Sequence, residues 1–508
     1  MKRVLFVLFL MCLSGFTLLA GGAQGDSRQG ADTVYSIMVP LTTPEAPTRE
    51  TSVWAALERV ANARFDIQWI AGDYNNRVNV SLAAGELPHV FVVTDPKSGM
   101  FINAARSGMF WELSDAINNS RNISRNLDPV VTRNLSTEGR SYILPRGRMM
   151  VRYGFVYRKD WADNLGIAPP TNLDEIYQML RAFATQDPER SGRQVYGLAT
   201  ARSSQGAQGE FIQGITVPVA MNGGGMGWVE EGGNLLPTFM TSQYFEVMNW
   251  YKRLYDERIV NQDFAAITGN ASYELCNAEQ AGAWFHTTDK ILNRVSPLLG
   301  TLQLRNPNLT LEDVWTFVTD VRSPGGSIRL PADAGHWGGM VFPRSRLRTQ
   351  AEFQRVFDIF DAFESEDGKN LMNWGIENVN HTIDNNRAVV INESIFNRDV
   401  EGFRMGLSVT AVSVPGTLPG LKDPMQDRIE TSQAFNARYA VPDLTYPLIS
   451  QTRATRGAEL DRIIGDAIIM YIMGEINEAG YMAVIEQWKR SGGQEVINEF
   501  TEGWRASQ

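Results

Sequence analysis

The sequence predicts an α/β protein built on a mostly parallel sheet, with an extra helical tail at the carboxyl end. Three observations carry this expectation. In the first hundred positions the apolar residues switch between a two-residue and a 3.6-residue period in the order β-α-β-α-β. The last ~50 residues hold three segments of helical period. The chain has 508 residues, 43% of them hydrophobic and 20% charged. That is enough for about two to four lobes with sizeable cores, and it is neither disordered nor collagen-like.

In chain order, residues 34–39 read as a strand and 51–64 as a helix with Trp54, Leu57 and Val60 on one side. Phe65, Ile67 and Trp69 alternate with polar neighbours, as in a half-buried strand. A helix over 76–84 follows, then an apolar strand over 89–93 between Pro88 and Pro96. The clearest helix start is Pro169-Pro170-Thr171-Asn172-Leu173-Asp174. Thr171 is expected to cap it and Asp174 to complete a capping box, with Leu173, Ile176, Tyr177, Leu180 and Phe183 as the apolar face. Amphipathic helices are expected over 243–257 and 350–364, and in the tail over 457–473, 476–489 and 494–504. There is no internal repeat and no low-complexity segment.

The amino end carries Lys2 and Arg3, an apolar run over 4–20, and the small residues Gly21, Gly22 and Ala23. This is the layout of a signal peptide, expected to be cleaved after Ala23, with 24–32 as a short polar tether. An uncleaved anchor is the alternative, since the run nearly reaches the ~20 residues of a membrane span. The two cysteines are Cys12 and Cys276, so the mature chain keeps one and forms no internal disulfide. Met11 precedes Cys12 where a lipoprotein peptidase prefers a small residue, which disfavours lipidation. The expected location is periplasmic or cell-surface associated.

Lys and Arg total 47 against 57 Asp and Glu, a net charge of −10. No basic run exceeds two residues, which argues against nucleic acid or an anionic membrane surface as the main partner. Catalytic signatures are sparse. His89, His286, His336 and His381 never fall at the spacing with which one element grips a metal. No G-x-S-x-G elbow or P-loop is present. The glycine run 223–227 fails the dinucleotide pattern at Trp228 and leads into a hairpin turn. The segment from Asp187 starts like a calcium loop, but Leu198 holds its twelfth position, and it reads as a surface turn. No metal or cofactor is expected. Carboxylates are plentiful, yet no spacing singles out a glycosidase pair.

Aromatic residues in turn-like contexts stand out among the twelve tryptophans: Trp228, Trp284, Trp337 and Trp374, each close to glycine. A flat ring beside a glycine lets a ligand approach closely, and such rings suit the apolar faces of sugars. The alternative for each is half-buried core. Trp54, Trp69, Trp111, Trp161, Trp250 and Trp315 lie in periodic contexts and are assigned to packing.

Four blocks carry a resemblance. They are Ser81-Leu-Ala-Ala-Gly-Glu-Leu-Pro88 leading into 89–93; Tyr142-Ile-Leu-Pro145-Arg146 followed by Tyr157-Arg158-Lys159-Asp160-Trp161; Leu165-Gly166 through Thr171 to Glu175; and Leu371-Met-Asn-Trp374-Gly375-Ile376-Glu377. Together they resemble the family 1 extracellular solute-binding proteins of ABC importers, in the large lipoprotein-type branch associated with oligosaccharide uptake. The chain departs from that pattern at His89, at Trp374 and Asn378, in lacking a cysteine at the signal's end, and in the degraded Asp187 loop. The resemblance implies a two-lobed type II periplasmic-binding-protein fold that closes on its ligand about a hinge. Lobe one would hold 33–153 plus 335–370 and lobe two 154–334 plus 371–508, with crossings near Gly154, over 324–335 and near Leu371. The chain is then expected to be a non-catalytic protein that captures a carbohydrate, expected to be an oligosaccharide, and presents it to the permease subunits of an ABC transporter; nothing in the sequence calls for an oligomer, and a monomer is expected.

On this reading sugar rings stack on Trp228, Trp284, Trp337 and Trp374. Thr94, Asp95, Arg146 and His286 supply polar contacts, with Arg146 suited to a uronate; a structural Asp95–Arg146 pair is the alternative. Two other functions stay open. One is a secreted carbohydrate-active hydrolase or lyase, which needs two carboxylates about 5–9.5 Å apart across the cleft. The other is a peptide receptor of the same fold.

Overall fold

A computed structural model describes residues 33–267, 269–411, 414–421 and 423–508. The expected signal segment, Cys12 and most of the tether lie outside them. The chain is organised by two sheets. The first has five strands in the order Arg64–Ile70, Val34–Pro40, Val90–Val93, His336–Val341, Leu144–Gly147. The first three are parallel, as the β-α-β-α-β pattern requires. His336–Val341 runs antiparallel to both its neighbours, because it is a return strand from a distant part of the chain, so the sheet is mixed. The second sheet is antiparallel, with Tyr153–Arg158 between Ala283–Thr287 and Trp315–Val318.

Each sheet nucleates its own core. Ile37, Phe65, Phe91, Phe342, Phe357 and Phe360 belong to the first. The second sheet is covered on both faces. Phe155, Tyr157 and Phe285 point into one cluster, while Val156, Trp284 and Phe317 point into another, as strand alternation dictates. The Gln451–Ile472, Glu478–Trp488 and Gln494–Ala506 helices of the tail pack on the first of these two clusters. Cys276, expected to be the mature chain's single cysteine, is buried and free.

The helices expected from periodicity are found at Ser52–Val60, Tyr74–Ala84, Ser242–Asp256 and Gln350–Phe363. The first ends earlier than expected because Asn62 turns left-handed (φ 47°) and lets the next strand begin at Arg64. The cap expected at Thr171 is displaced by one residue. Asn172 accepts from the Glu175 N–H at 2.9 Å, and Glu175 receives the Thr171 N–H (2.7 Å) and hydroxyl (2.9 Å) in return. The 187–192 turn is closed by Asp187, which accepts the Ser191 and Gly192 N–H groups at 2.9 and 2.8 Å.

The hinge is built from three passes of the chain. Leu330–Ala332 pairs in parallel with Ala440–Pro442, and Val151, Leu330 and Ala332 form a small core of their own. Arg152 bridges two acids there, Asp333 at 2.8 Å and Asp289 at 3.6 Å, and the Tyr153 hydroxyl donates to Asp333 at 2.7 Å. The expectation of a crossing near Leu371 is corrected. Met372, Phe396, Val400, Phe403, Leu407 and Val409 all lie in the first core. A buried Lys369–Glu364 ion pair (3.0 Å) binds Ser408 and the Val409 N–H, tying this segment to the Gln350–Phe363 helix. Leu421 still bonds to Ala388, whereas Met425 and Ile429 pack in the second half's core, so the third pass begins after 421.

Candidate functional site

One candidate ligand face forms at the carboxyl ends of the central strands, where open α/β sheets place ligands. Tyr74 secures this edge by donating its hydroxyl to the Met38 (3.0 Å) and Val92 (2.9 Å) carbonyls. Thr94 and Asp95 follow directly; Thr94 bonds to Asn75, and Asp95 accepts the Lys97 N–H at 3.2 Å. The return strand begins beside them with His336 and Trp337. Gly338 is required there, since a Cβ would stand 1.9 Å from the Val93 carbonyl oxygen, and its φ of 68° is left-handed. This tight pass turns Trp337 outward, leaving it 45% exposed.

Beneath Trp337 lie two arginines. The guanidinium carbons of Arg146 and Arg148 are 5.4 and 5.5 Å from the ring centroid, in cation–π range. Arg146 is fully buried and donates to the Trp337 (3.3 Å) and Met405 (2.7 Å) carbonyls. Arg148 is partly exposed and donates to the Gly147 (2.7 Å) and Met405 (3.2 Å) carbonyls. Burial, then the fields of Arg146, Arg152 and Arg404, push the Arg148 pKa below the usual arginine range. His336 is held down to about 4 by burial and then by Lys97, so it is neutral near pH 7.

A second candidate face, in the other half, carries a cavity of about 620 Å³ bounded by the 202–213 segment, the 269–273 turn and the middle of the Gln451–Ile472 helix. His286 lines it from the end of its strand, edge-on to Tyr153 at 5.5 Å and 3.7 Å from the buried Glu210. Arg202, Lys290, Asp461 and Arg462 add charge to the lining, with Gln213 and Asn270 as neutral polar groups. Arg202 is engaged by Asp466 at 2.6 Å. The same helix reaches the first lobe at its amino end, where Gln451 accepts from Arg106 at 3.4 Å and Ala454 lies against Gly99.

Of the residues expected from sequence, Thr94, Asp95, Arg146 and Trp337 lie together at the end of the first sheet, and His286 lies apart from them on the cavity of the second half. The structure does not pair Asp95 with Arg146, whose donors go to carbonyls. Two expected stacking platforms are core residues. Trp284 is 1% exposed and packs edge-on against Trp315 (5.0 Å) and Tyr273 (5.7 Å), because the sheet carrying it is covered on both faces. Its neighbour Gly282 serves packing, since a Cβ would sit 2.6 Å from Trp161 and Phe183. Trp228 is also buried, against Phe500 at 4.9 Å. Trp374 lies elsewhere, half-buried over a separate cavity of about 420 Å³ on the first lobe, its indole N–H donating to the Leu418 carbonyl at 2.8 Å. Sequence reasoning overlooked Arg148, Glu210, Arg202 and Lys290. The signal for Arg148 was its alternation with Arg146, which puts two arginines on one side of an extended crossing segment.

Comparison with known proteins agrees with this architecture. A family model described as bacterial extracellular solute-binding protein matches residues 53–294. The polygalacturonan/rhamnogalacturonan-binding protein YtcQ of Bacillus subtilis is 28% identical over 100% of this chain and 99% of its own. Lipoprotein LipO of the same organism is 27% identical over 97% of each. Among solved structures, an HMO-binding, ABC-transporter-associated solute-binding protein from Bifidobacterium longum infantis superposes with a TM-score of 0.72 at 17% identity, covering 93% of this chain and 98% of that one. The N-glycan transport solute-binding protein NgtS of Streptococcus pneumoniae gives 0.63 at 14% identity, with the same coverage. These likenesses show the two-lobed fold. The family match takes in strands of both sheets, and over residues 53–294 the chain is similar to the bacterial extracellular solute-binding proteins.

Proposed function

We propose that this protein is exported, captures an oligosaccharide between its lobes and delivers it, unchanged, to the transmembrane subunits of an ABC importer. The observation that carries the reading is Trp337, a large aromatic face left 45% exposed at the cleft edge of the first sheet. Polar groups surround it, and a polar cavity of about 620 Å³ lies on the second lobe. An apolar face with flanking hydrogen-bonding groups suits a sugar ring. Thr94, Asp95, Arg146 and Arg148 would contact the ligand or position those that do on one side, with His286 and Glu210 on the other. The relative named for polygalacturonan and rhamnogalacturonan binding, aligned over 99% of its length, supports a carbohydrate ligand. Among the described residues no helix is long and apolar enough to cross a membrane, and the amino-terminal segment lies outside them. There we place a signal cleaved after Ala23 and an unlipidated, monomeric mature chain.

The test is a thermal-shift screen of the chain from Gln24 against oligosaccharides and peptides, with sugar length followed over hours. A ligand at ~100 times its dissociation constant adds about 2.7 kcal/mol of stability. A rise in Tm with intact sugar supports capture. Shortened sugar identifies an enzyme, and a response to peptides alone discards the carbohydrate.

A further inference from the structure

The arginines of the hinge-proximal segment are not treated alike. Arg152 has Asp333 and Asp289, and Arg404 is paired with Glu401 at 2.7 Å, the fields of both reaching Arg148 with opposite sign. Arg146 and Arg148 lie between them, and among the described residues no carboxylate comes within ion-pair distance of either. Every protein acceptor they have is a neutral backbone carbonyl, and the buried Nε of Arg146 has no partner. This occurs in a chain whose acids outnumber its bases, 57 to 47. A guanidinium cannot relieve such a site by losing its proton, so the charge persists, and desolvating it without a counter-charge is costly. The carbonyls fix the planes of both groups, and the Trp337 ring lies against them.

We propose that Arg148, reinforced by the charge of Arg146 behind it, binds the carboxylate of an acidic sugar whose ring packs on Trp337, so that the oligosaccharide taken up contains uronate. This rests on the capture reading above and adds the ligand's chemical class. A carboxylate fits the planar fork of an accessible arginine and supplies the negative charge the wall lacks. Arg146 is a positioning residue. It raises the local potential and holds the Trp337 carbonyl.

The experiment is titration calorimetry on the chain from Gln24 with trigalacturonate, its methyl ester and neutral galactotriose. Trigalacturonate is expected to bind at least tenfold more tightly than its ester and to weaken as salt is raised. Arg148→Gln should bring the acid-to-ester ratio near one, with Arg148→Lys intermediate because it keeps the charge without the fork. Trp337→Ala should weaken both forms alike. Equal binding of acid and ester, a preference for galactotriose, or an unchanged ratio in Arg148→Gln overturns the carboxylate subsite while leaving oligosaccharide capture intact. If no sugar here or in the thermal-shift panel binds, the capture reading itself fails.

Discussion

Each lobe buries one arginine almost completely, and the two are handled in opposite ways. Arg158, 1% exposed in the second lobe, meets Asp160 at 2.6 Å and Glu189 at 3.2 Å and sits over the Trp161 ring at 4.8 Å. Arg146, 0% exposed in the first, has backbone carbonyls and the exposed Trp337. A buried charge whose partners lie within its own lobe is part of the fold. A buried charge at a cleft wall, supplied with orientation and no counter-ion, leaves its electrostatic complement to come from outside.

The largest effect expected from this contrast is on stability. Arg158→Met removes a buried charge from between two acids, leaving Glu189 with Arg193 and the Trp161 indole and Asp160 with the Trp161 N–H, and should cost about 3 kcal/mol, read as a fall in the urea midpoint. Arg146→Met removes a charge that has no counter-ion and loses two bonds to carbonyls, so it should cost less than about 2 kcal/mol. Equal losses would erase the distinction. The tryptophans repeat it. Trp284→Ala opens a cavity between Trp315 and Tyr273 and should cost about 3–5 kcal/mol. Trp337→Ala should stay within about 0.5 kcal/mol and instead weaken ligand binding. A stable Trp284→Ala variant with impaired binding would return Trp284 to the site.

A third buried charge sharpens the rule by taking the other exit. Asp443, at the hinge, accepts the Thr445 N–H (2.8 Å) and hydroxyl (2.6 Å), and the nearby Arg453 is committed to Asp461 at 2.6 Å. Burial pushes its pKa up to about 7 from the usual 3.8, against weaker lowering by those hydrogen bonds. Unlike a guanidinium, a carboxyl can neutralise itself. The sign follows: between about pH 4 and 7 the folded chain holds a proton that the unfolded chain releases. Its contribution to stability is therefore complete below about 4 and is lost as pH rises toward 7, by about 1.4 kcal/mol per unit. Asp443→Asn should gain on the wild type over that window in paired urea melts. A difference that stays flat with pH would show that Asp443 is ionised in the fold.

What could be read from sequence follows the same physics. Period-two and period-3.6 patterns are local, so the Val34–Pro40, Arg64–Ile70 and Val90–Val93 strands and the tail helices were legible. The pass after 421 was not, because the 371–409 segment has ordinary amphipathic patterning and is held to the first lobe by tertiary contacts such as Lys369–Glu364. Glycine beside tryptophan proved ambiguous for a stated reason. At Gly282 the missing Cβ admits Trp161 and Phe183, whereas at Gly338 it admits a crossing strand and turns the indole out. Sequence shows the glycine in both cases and the occupant in neither. Whether an arginine is paired depends likewise on residues far along the chain, which is why Arg146 was singled out without Arg148.

The smallest expected effect tests whether burial or distance sets the ladder. Arg106 and Glu138 are 2.6 Å apart, the same separation as Arg158 and Asp160, but their side chains are 41% and 58% exposed. Water already solvates both groups, so Arg106→Ala should cost under about 1 kcal/mol and should matter less still as salt is raised. Arg106 also donates to Gln451 across the lobes at 3.4 Å, so its loss should be felt in the closed state more than in unfolding. Small-angle scattering with and without saturating ligand separates the two. If Arg106→Ala instead matched Arg158→Met in the urea midpoint, ion-pair length and not desolvation would govern these charges, and the inference drawn from the unpaired arginines of the cleft would lose its footing.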